Sequence, residues 1–313
     1  MHSSAHYRQL LTRLPQIAVA ADQFQILSSA KDFKSRILSL IAHATQRIYL
    51  IALYLQDDEA GREILSALYA AKQRNPSLDI KVFVDFHRAQ RGLIGKGKQG
   101  GNHLMYQAMA ASHQHQIEIY GVPVKGRELL GVLHLKGFIF DDTLLYSGAS
   151  LNDIYLHQQE RYRFDRYHQI HSPALTRSMV NYVDDVFLGS EAVQRLDRTG
   201  IPGAKQLKGP IRRFKQRLRL CQYRFESIQP NDREIAVTPM VGLGKRGNQL
   251  NRMIRNLVRA TEREIFICTP YFNPPKELNK DVEALLKRGC KVTIVVGDKT
   301  ANDFFIPPEE KFS

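Results

Sequence analysis

Two basic side chains two residues apart carry the clearest chemical signal in the sequence. His134 and Lys136 lie in an otherwise apolar stretch that predicts a β-strand, where positions i and i+2 share one face. Two adjacent cations oppose each other's charge unless an anion lies between them, and a phosphate group fits that place. Lys136 would neutralise the phosphate, and His134 would attack it as a nucleophile.

The loop after the next predicted strand can complete a phosphate site. That strand spans residues 143–147, and the following loop runs from Gly148 to Asn152. Ser150 and Asn152 can donate hydrogen bonds to the remaining phosphate oxygens. A lone His-x-Lys is common by chance, whereas His, Lys, Asp, then Gly and Ser-x-Asn in this order and spacing is specific for phosphate chemistry.

The elements that must position these residues occur twice. Residues 33–85 and 249–296 each predict a helix, a buried strand, a second helix and a second strand. Both first helices end in Ala-Thr-x-Arg, at residues 44–47 and 260–263. Because continuous apolar strands alternate with helices, we expect an α/β fold with a sheet covered on both faces and a duplicated half.

Composition indicates a globular protein with an anionic partner. The 313 residues are 43% hydrophobic, and 45 Lys and Arg against 31 Asp and Glu give a net charge of +14. Nucleic acid, acidic lipid and phosphorylated substrates all fit this charge. The longest apolar run, residues 48–55, is far shorter than the roughly 20 residues of a spanning helix. Three scattered cysteines argue against a disulfide framework and a zinc site, and favour a reducing, cytoplasmic compartment.

A basic amphipathic helix is predicted after Pro210. Residues 205–224 contain no acid, and apolar residues recur at helical intervals from Ile211 to Cys221. The apolar stripe either packs on the body of the protein or lies on an anionic membrane, where each basic residue is worth about 1 kcal/mol; a nucleic-acid contact is the third alternative. The membrane-contacting residues would be Lys205, Lys208, Arg212, Arg213, Phe214, Lys215, Arg217 and Arg219.

With these motifs the sequence resembles the phospholipase D superfamily, whose motif is His-x-Lys-x4-Asp followed by a Gly/Ser-x-Asn element. Ala149 makes that element one residue longer than in many members. This insertion and residues 87–92, 131–168 and 269–275 resemble the branch of bacterial phosphatidylserine synthases. The resemblance extends from about residue 24 to the end of the chain. It implies the phospholipase D fold, a mixed β-sheet flanked by helices, in duplicated halves of which the second is incomplete.

The resemblance also implies a reaction and its partners. Such enzymes transfer the phosphatidyl group from CDP-diacylglycerol to L-serine and release CMP, through a phosphatidyl-histidine and without a metal or other cofactor. The implied partners are both substrates and an anionic membrane surface, with the protein peripheral to the inner membrane on its cytoplasmic side. Nucleic acid is disfavoured because the basic helix has one apolar stripe instead of interleaved stacking aromatics. Cardiolipin synthase, a near relative, is expected to carry membrane segments.

Site residues follow by position within the motif. The implied catalytic and phosphate-binding set is His134, Lys136, Asp141, Ser150 and Asn152, with Asp141 as the supporting carboxylate. Superfamily members also place an acid just before the next strand, where it orients the histidine ring. Asp165 fits that place best and Glu160 is the alternative. The alternative to a catalytic role is a structural one, in which Asp165 forms a salt bridge with the neighbouring arginines.

The chain contains one such motif, whereas the superfamily has two, the second histidine serving as general acid and base. His134 follows Val84 by 50 residues, so the counterpart of Val84, Val296, places a second histidine near position 346. We therefore expect a C-terminally truncated synthase: a first half over 1–200, a basic linker over 201–230 and an incomplete second half over 231–313. Two outcomes stay open: a chain inactive by itself, or a single-motif dimer acting as a phosphodiesterase or nuclease. The oligomeric state is open.

Overall fold

A computed structural model describes residues 3–91, 100–124, 131–244 and 247–298. The chain forms two compact units, Pro15–Leu243 and a smaller one built from Met1–Leu14 with Gly244–Ser313. Its helices are α1 (Ser4–Thr12), α2 (Ala30–His43), α3 (Glu59–Arg74), α4 (Phe86–Gln90), α5 (His103–Ser112), α6 (Pro173–Tyr182), α7 (Lys208–Leu220), α8 (Gln249–Ala260) and α9 (Lys276–Lys287).

The strands are β1 (Ile17–Ala20), β2 (Phe24–Leu27), β3 (Arg47–Ile51), β4 (Asp79–Asp85), β5 (Glu118–Val122), β6 (Gly137–Phe140), β7 (Thr143–Tyr146), β8 (Tyr167–His171), β9 (Gln194–Arg195), β10 (Glu234–Val237), β11 (Glu264–Thr269) and β12 (Lys291–Val296). A 3₁₀ turn covers Ala21–Gln23 and a π-helical segment covers Val183–Leu188.

The larger unit is built on a mixed sheet of eight strands in the order β2-β8-β7-β6-β3-β4-β5-β9. β3, β4 and β5 run parallel, and β6, β7, β8 and β2 follow as antiparallel neighbours. β3 is buried from Ile48 to Ile51, and α2 covers the sheet with Phe33, Ile37 and Ile41. The stacked rings of Phe33 and Tyr167 join this helix to β8, with centroids 4.7 Å apart.

The internal duplication predicted from the sequence is present down to strand register. β3 pairs in parallel with β4, and β11 pairs in parallel with β12. Ile48 lies opposite Ile80 in the first pair, as Ile265 lies opposite Val292 in the second. Each pair is connected by a helix, α3 or α9, which gives the usual parallel crossover.

Both first strands of the repeat are shorter than the apolar runs that predict them. β3 ends at Ile51, where its antiparallel neighbour β6 begins at Gly137. β11 ends at Thr269 because the next residue is Pro270, which has no backbone N–H for a ladder. The residues beyond each strand end, including Tyr54 and Tyr271, therefore lie in loops.

The smaller unit has a small core of its own. Val258, Val282, Leu285 and Cys290 form its buried cluster, and Asp281 accepts hydrogen bonds from Arg255 and Arg259 at 2.6 and 2.8 Å. Among the described residues its sheet has only the strands β11 and β12. Within the described residues one face of that sheet is open, with Phe266 66% exposed.

The helix α7 forms as the apolar spacing predicts, and its stripe packs on the larger unit. Ile211, Phe214 and Leu218 are buried there, with the ring of Phe214 5.9 Å from that of Phe187. β10 also belongs to this unit through its pairing with β1. The boundaries at residues 200 and 230, which the sequence places between the first half, the linker and the second half, stay a prediction. Within the described parts, no helix combines the length and the apolar composition needed to cross a bilayer.

Candidate active site

Strand directions bring the predicted site residues to one edge of the large sheet. β3 and β4 end at this edge, and β6, antiparallel to β3, begins there. β7 returns to the same edge and β8 starts from it. The segments before β6, after β7 and before β8 therefore meet, carrying the His-x-Lys motif, the Ser-x-Asn loop and Asp165.

His134 lies in the irregular segment that precedes β6, not within the strand that the apolar pattern predicts. β6 begins only at Gly137, whose φ of 143° favours glycine. The side chain of His134 is exposed. Partial burial and, second, the charge of Lys136 lower the pKa of His134 below its usual 6.5. The imidazole is therefore neutral at pH 7, the form that has a free lone pair.

Asp85 fixes this segment, and the sequence reasoning missed it. Its fully buried carboxylate accepts hydrogen bonds from the backbone N–H groups of His87 and Arg88, both at 2.9 Å, at the start of α4. The other oxygen accepts from the N–H of Leu133 at 2.8 Å, the residue before His134. Burial raises the pKa of Asp85, while these N–H donors lower it. An acid ending a buried apolar strand is the sequence signal that marks this position.

Lys136 is a buried cation with few hydrogen-bond acceptors among the described residues. It is 7% exposed, and its only hydrogen bond within the described residues runs from Nζ to the His134 carbonyl oxygen at 3.5 Å. Burial lowers its pKa to about 8, although the negative charge of Asp165 acts in the opposite direction. A buried ammonium with so few acceptors is suited to an anionic ligand.

Asp165 lies at this edge directly before β8, as the sequence predicts. A Cβ atom added to Gly148 would lie 2.6 Å from Asp165 Oδ2, so the carboxylate packs against the glycine. Its Oδ1 accepts from the N–H of Arg166 at 2.7 Å. Glu160, the alternative, has an exposed side chain. The contact with Gly148 and the electrostatic effect on Lys136 favour Asp165.

The Ser-x-Asn loop is held in place by the segment that follows β3. The N–H of Leu151 donates to the Tyr54 carbonyl at 3.1 Å, and the N–H of Gln56 donates to the Leu151 carbonyl at 2.9 Å. Ser150 is buried. Asn152 Oδ1 accepts from the Tyr155 N–H at 3.0 Å, so its Nδ2 amide, without an acceptor in the described residues, is available to a ligand.

Two carboxylates, Asp58 before α3 and Asp153 after Asn152, join the same loop to the start of α3. Asp58 accepts from the N–H groups of Gly61 and Asp153 at 2.9 and 3.0 Å, and Asp153 accepts from the Ala60 N–H at 2.7 Å. Burial, with a smaller contribution from Asp153, raises the pKa of Asp58 to about 6. This pair ties the residue after Asn152 to the start of α3.

Asp141 is not brought together with His134. It lies in the β6–β7 turn, at the opposite edge of the sheet, with φ of 51°. Its carboxylate accepts from the N–H groups of Thr45, Gln46 and Arg47 at 2.8 to 2.9 Å, and from the Thr45 hydroxyl at 3.1 Å. Burial raises its pKa, but these hydrogen bonds outweigh burial and lower it. The contacts support a structural role, in which Asp141 ties the β6–β7 turn to the start of β3, and the catalytic role expected from the motif stays a prediction.

The apolar stripe of α7 is buried, so the exposed surface of this helix is mostly cationic, with Leu220 83% exposed at its end. Phe214 is 1% exposed and offers no surface to lipid, which corrects its assignment as a membrane contact. Arg213 forms a salt bridge with Glu191 at 2.5 Å, and Arg217 donates to the Gly189 carbonyl at 3.1 Å. The remaining predicted contacts, of which all but the half-buried Lys215 are exposed, are Lys205, Lys208, Arg212, Lys215 and Arg219.

This geometry can hold a phosphate and attack it. A neutral imidazole, a buried ammonium and amide and hydroxyl donors share one edge, and a carboxylate lies against the loop that carries the donors. Such a set fits phosphoryl transfer through a histidine nucleophile.

The comparisons with known proteins first define the class. Residues 37–160 match the family described as "Cardiolipin synthase, PLD-like domain". The CDP-diacylglycerol–serine O-phosphatidyltransferase of Haemophilus influenzae is 46% identical over 308 residues, covering 97% of this chain and 68% of that protein. The Escherichia coli K12 enzyme of that name is 46% identical over 307 residues, covering 98% of this chain and 68% of that protein. The chain belongs to this family of CDP-diacylglycerol–serine O-phosphatidyltransferases.

Solved structures agree on the fold. The crystal structure of phosphatidylserine synthase from Haemophilus influenzae Rd KW20 superposes with a TM-score of 0.90 and 43% identity, covering 100% of this chain and 70% of that one. The polyphosphate kinase of Porphyromonas gingivalis, with a TM-score of 0.50 and 13% identity, shares the fold alone. The phospholipase D-like α/β fold expected from the sequence is thereby confirmed.

Proposed function

We propose that this chain transfers the phosphatidyl group of CDP-diacylglycerol to L-serine, with His134 as the nucleophile. The observation that carries the proposal is the pairing of the exposed His134 with the buried ammonium of Lys136, which has few acceptors among the described residues. An imidazole with a free lone pair beside an anion-binding cation is what attack on a phosphodiester requires. The family to which the chain belongs supports the choice of substrates.

In the first step, a ring nitrogen of His134 forms a bond to the phosphorus that bears diacylglycerol. The bond from that phosphorus to the bridging oxygen breaks, and its electron pair leaves with CMP. A phosphate monoester has a second pKa of about 6, so CMP leaves without needing a strong acid. Lys136, Ser150 and Asn152 stabilise the charge on the non-bridging oxygens.

In the second step, the serine hydroxyl oxygen attacks the phosphatidyl-histidine and the nitrogen–phosphorus bond breaks. The hydroxyl proton must pass to a base, and the electron pair returns to His134. Asp165 orients the imidazole and stabilises its charged form. The sequence contains a single His-x-Lys, so the serine step is the one that tests whether one motif suffices.

We also propose that the protein works at the cytoplasmic surface of the inner membrane. The substrate is a lipid, and the net charge of +14 favours an anionic bilayer. The exposed cations of α7 attract that surface without inserting into it, because the apolar stripe of the helix is buried.

The test is CMP release from CDP-diacylglycerol in mixed micelles, with and without L-serine. The variant His134→Ala removes the nucleophile. A matched control is His171→Ala, since His171 ends β8 at the opposite edge of the sheet and bonds only Thr143 among the described side chains. A lipid label that is bound to the enzyme through an acid-labile bond, and is trapped before serine is added, reports the intermediate directly.

We expect wild type and His171→Ala to release CMP and to carry the acid-labile label, and His134→Ala to do neither. Release that continues in His134→Ala would refute the nucleophile. Label that forms but does not pass to serine would refute the complete transferase and leave only the first step.

A further inference from the structure

Three aromatic side chains stand exposed beside the candidate active site. Tyr146 is 48% exposed, Tyr162 is 46% exposed and Phe164 is 68% exposed. We refer to these three residues as the aromatic rim. None of them takes part in the phosphate chemistry described above, and large exposed apolar groups close together mark interaction surfaces.

The rim borders the phosphate site directly. Tyr146 is the last residue of β7, where the chain enters the Ser-x-Asn loop, and Phe164 is the neighbour of Asp165. Burial and, second, the charge of Asp165 raise the pKa of Tyr146, so the two side chains lie close together. The charge of Asp165 also acts on Lys136, so a phosphate bound at Lys136 lies next to the rim.

The rim is held in place although it is exposed. The ring of Tyr162 stacks on that of His157 with centroids 3.7 Å apart, and His157 adopts a φ of 51°. The ring of Phe164 packs edge-on against that of Tyr167 at 6.2 Å. Side chains already fixed in this way lose little further freedom when a partner covers them.

Arginines are interleaved with these aromatics. Arg161, Arg163 and Arg166 flank Tyr162 and Phe164, and Arg163 also lies over the ring of Tyr155 at 5.6 Å. Arginine pairs with phosphate groups, and tyrosine and phenylalanine fit the boundary between headgroups and acyl chains. Basic residues interleaved with aromatics also bind single-stranded nucleic acid. The lipid substrate of the proposed function favours the surface of an anionic bilayer as the partner here.

We infer that the aromatic rim inserts into the surface of an anionic membrane, so that a lipid phosphate reaches His134 without its acyl chains leaving the bilayer. The inference rests on the proposed function, because it gives the rim the lipid substrate of that same site. It also supplies apolar contacts beyond those of α7, whose stripe Ile211, Phe214 and Leu218 is buried.

The test measures vesicle binding without substrate. Wild type and Phe164→Ala are co-sedimented with vesicles of phosphatidylcholine alone and with about 30% phosphatidylglycerol, a composition chosen for the test because it gives a strongly negative surface. The matched control is Phe266→Ala, the same residue type at 66% exposure but in the smaller unit. Phe164→Trp keeps a large interfacial ring, and CMP release in detergent micelles is measured in parallel.

We expect Phe164→Ala to bind anionic vesicles roughly tenfold more weakly, as loss of one inserted aromatic predicts. Phe266→Ala and Phe164→Trp should bind like wild type, and micellar CMP release should be retained by all variants. Unchanged binding of Phe164→Ala, or an equal loss in Phe266→Ala, would overturn the inference. So would a change of oligomeric state in Phe164→Ala, which would assign the rim to a second copy of the chain.

The two proposals fail in different readouts. Absence of CMP release in micelles counts against the proposed function whatever the vesicles show. Normal release together with rim-independent vesicle binding counts against the rim alone.

Discussion

Replacing Asp85 by asparagine removes one acceptor oxygen from a fully buried carboxylate that holds three backbone N–H groups. The amide oxygen of the new side chain would stay with the two donors of α4, because this keeps two of the three hydrogen bonds. Its NH₂ group would then face the N–H of Leu133. Both groups are hydrogen-bond donors, so neither would have an acceptor there. A buried donor left unsatisfied costs about 1–3 kcal/mol, so we expect the free energy of unfolding to fall by about 2 kcal/mol.

The larger consequence is for catalysis, because Leu133 immediately precedes His134. Freed from Asp85, the segment shifts, and a displacement of about 1 Å at a reacting group can cost 100-fold in rate. We expect kcat/KM for CDP-diacylglycerol to fall between about 10-fold and 100-fold, with a smaller change in KM. The assay is CMP release on protein whose folded fraction is fixed by urea titration.

The control for this prediction is Ser172→Ala. Ser172 is buried and caps α6 at the opposite edge of the sheet, accepting from the Leu175 N–H at 3.3 Å. Its loss should destabilise the unit by about 1 kcal/mol and leave kcat/KM within twofold. If Asp85→Asn were destabilised as expected yet retained wild-type kcat/KM, Asp85 would not position His134 and the reasoning would be wrong.

Three further predictions concern the same edge and its opposite. Gly148→Ala should lower kcat/KM at least tenfold with little change in the urea midpoint, because the added Cβ would lie 2.6 Å from Asp165 Oδ2; activity near wild type would show that Asp165 does not act at this site. The pH profile of kcat/KM should rise as His134 loses its proton, below its usual pKa of 6.5, and fall above about pH 8 as Lys136 loses its charge. Since bound phosphate raises the pKa of Lys136, the alkaline fall should be weaker in kcat, and Lys136→Arg should move it upward; a profile unchanged in that variant would contradict the assignment. Asp141→Ala should lower the free energy of unfolding by about 1–3 kcal/mol and leave kcat of the folded protein near wild type, whereas a catalytic Asp141 would abolish kcat.

The sequence singles out the candidate site residues where the signal is local in the chain. His134 and Lys136 stand out as charged residues in an apolar run, and the Ser-x-Asn loop follows at fixed spacing. The duplication is equally visible, because each copy carries its own apolar periodicity. The matched register of Ile48 with Ile80 and of Ile265 with Val292 follows from those patterns.

What the sequence does not predict depends on neighbours far apart in the chain. Asp85 becomes a positioning residue only because β4 ends beside the segment before β6, 48 residues later. Asp141 is part of the motif, yet the whole of β6 separates it from His134, which places it at the other edge. From the sequence alone, the apolar stripe of α7 could pack on the protein or insert into a membrane. The structure decides between the two because Phe214 packs against Phe187.

The open two-stranded sheet of the smaller unit has a consequence for how the protein behaves on warming. In the part of the chain that the structure describes, β11 and β12 pair only with each other, and Phe266 stands on an open face. Two strands alone are marginally stable, and unpaired edges are templates for further strands. Backbone amides of β11 and β12 should therefore exchange with deuterium well before those of β3 and β4 in the eight-stranded sheet. Aggregation on heating should begin from this pair of strands, at a temperature where the active-site edge is still folded.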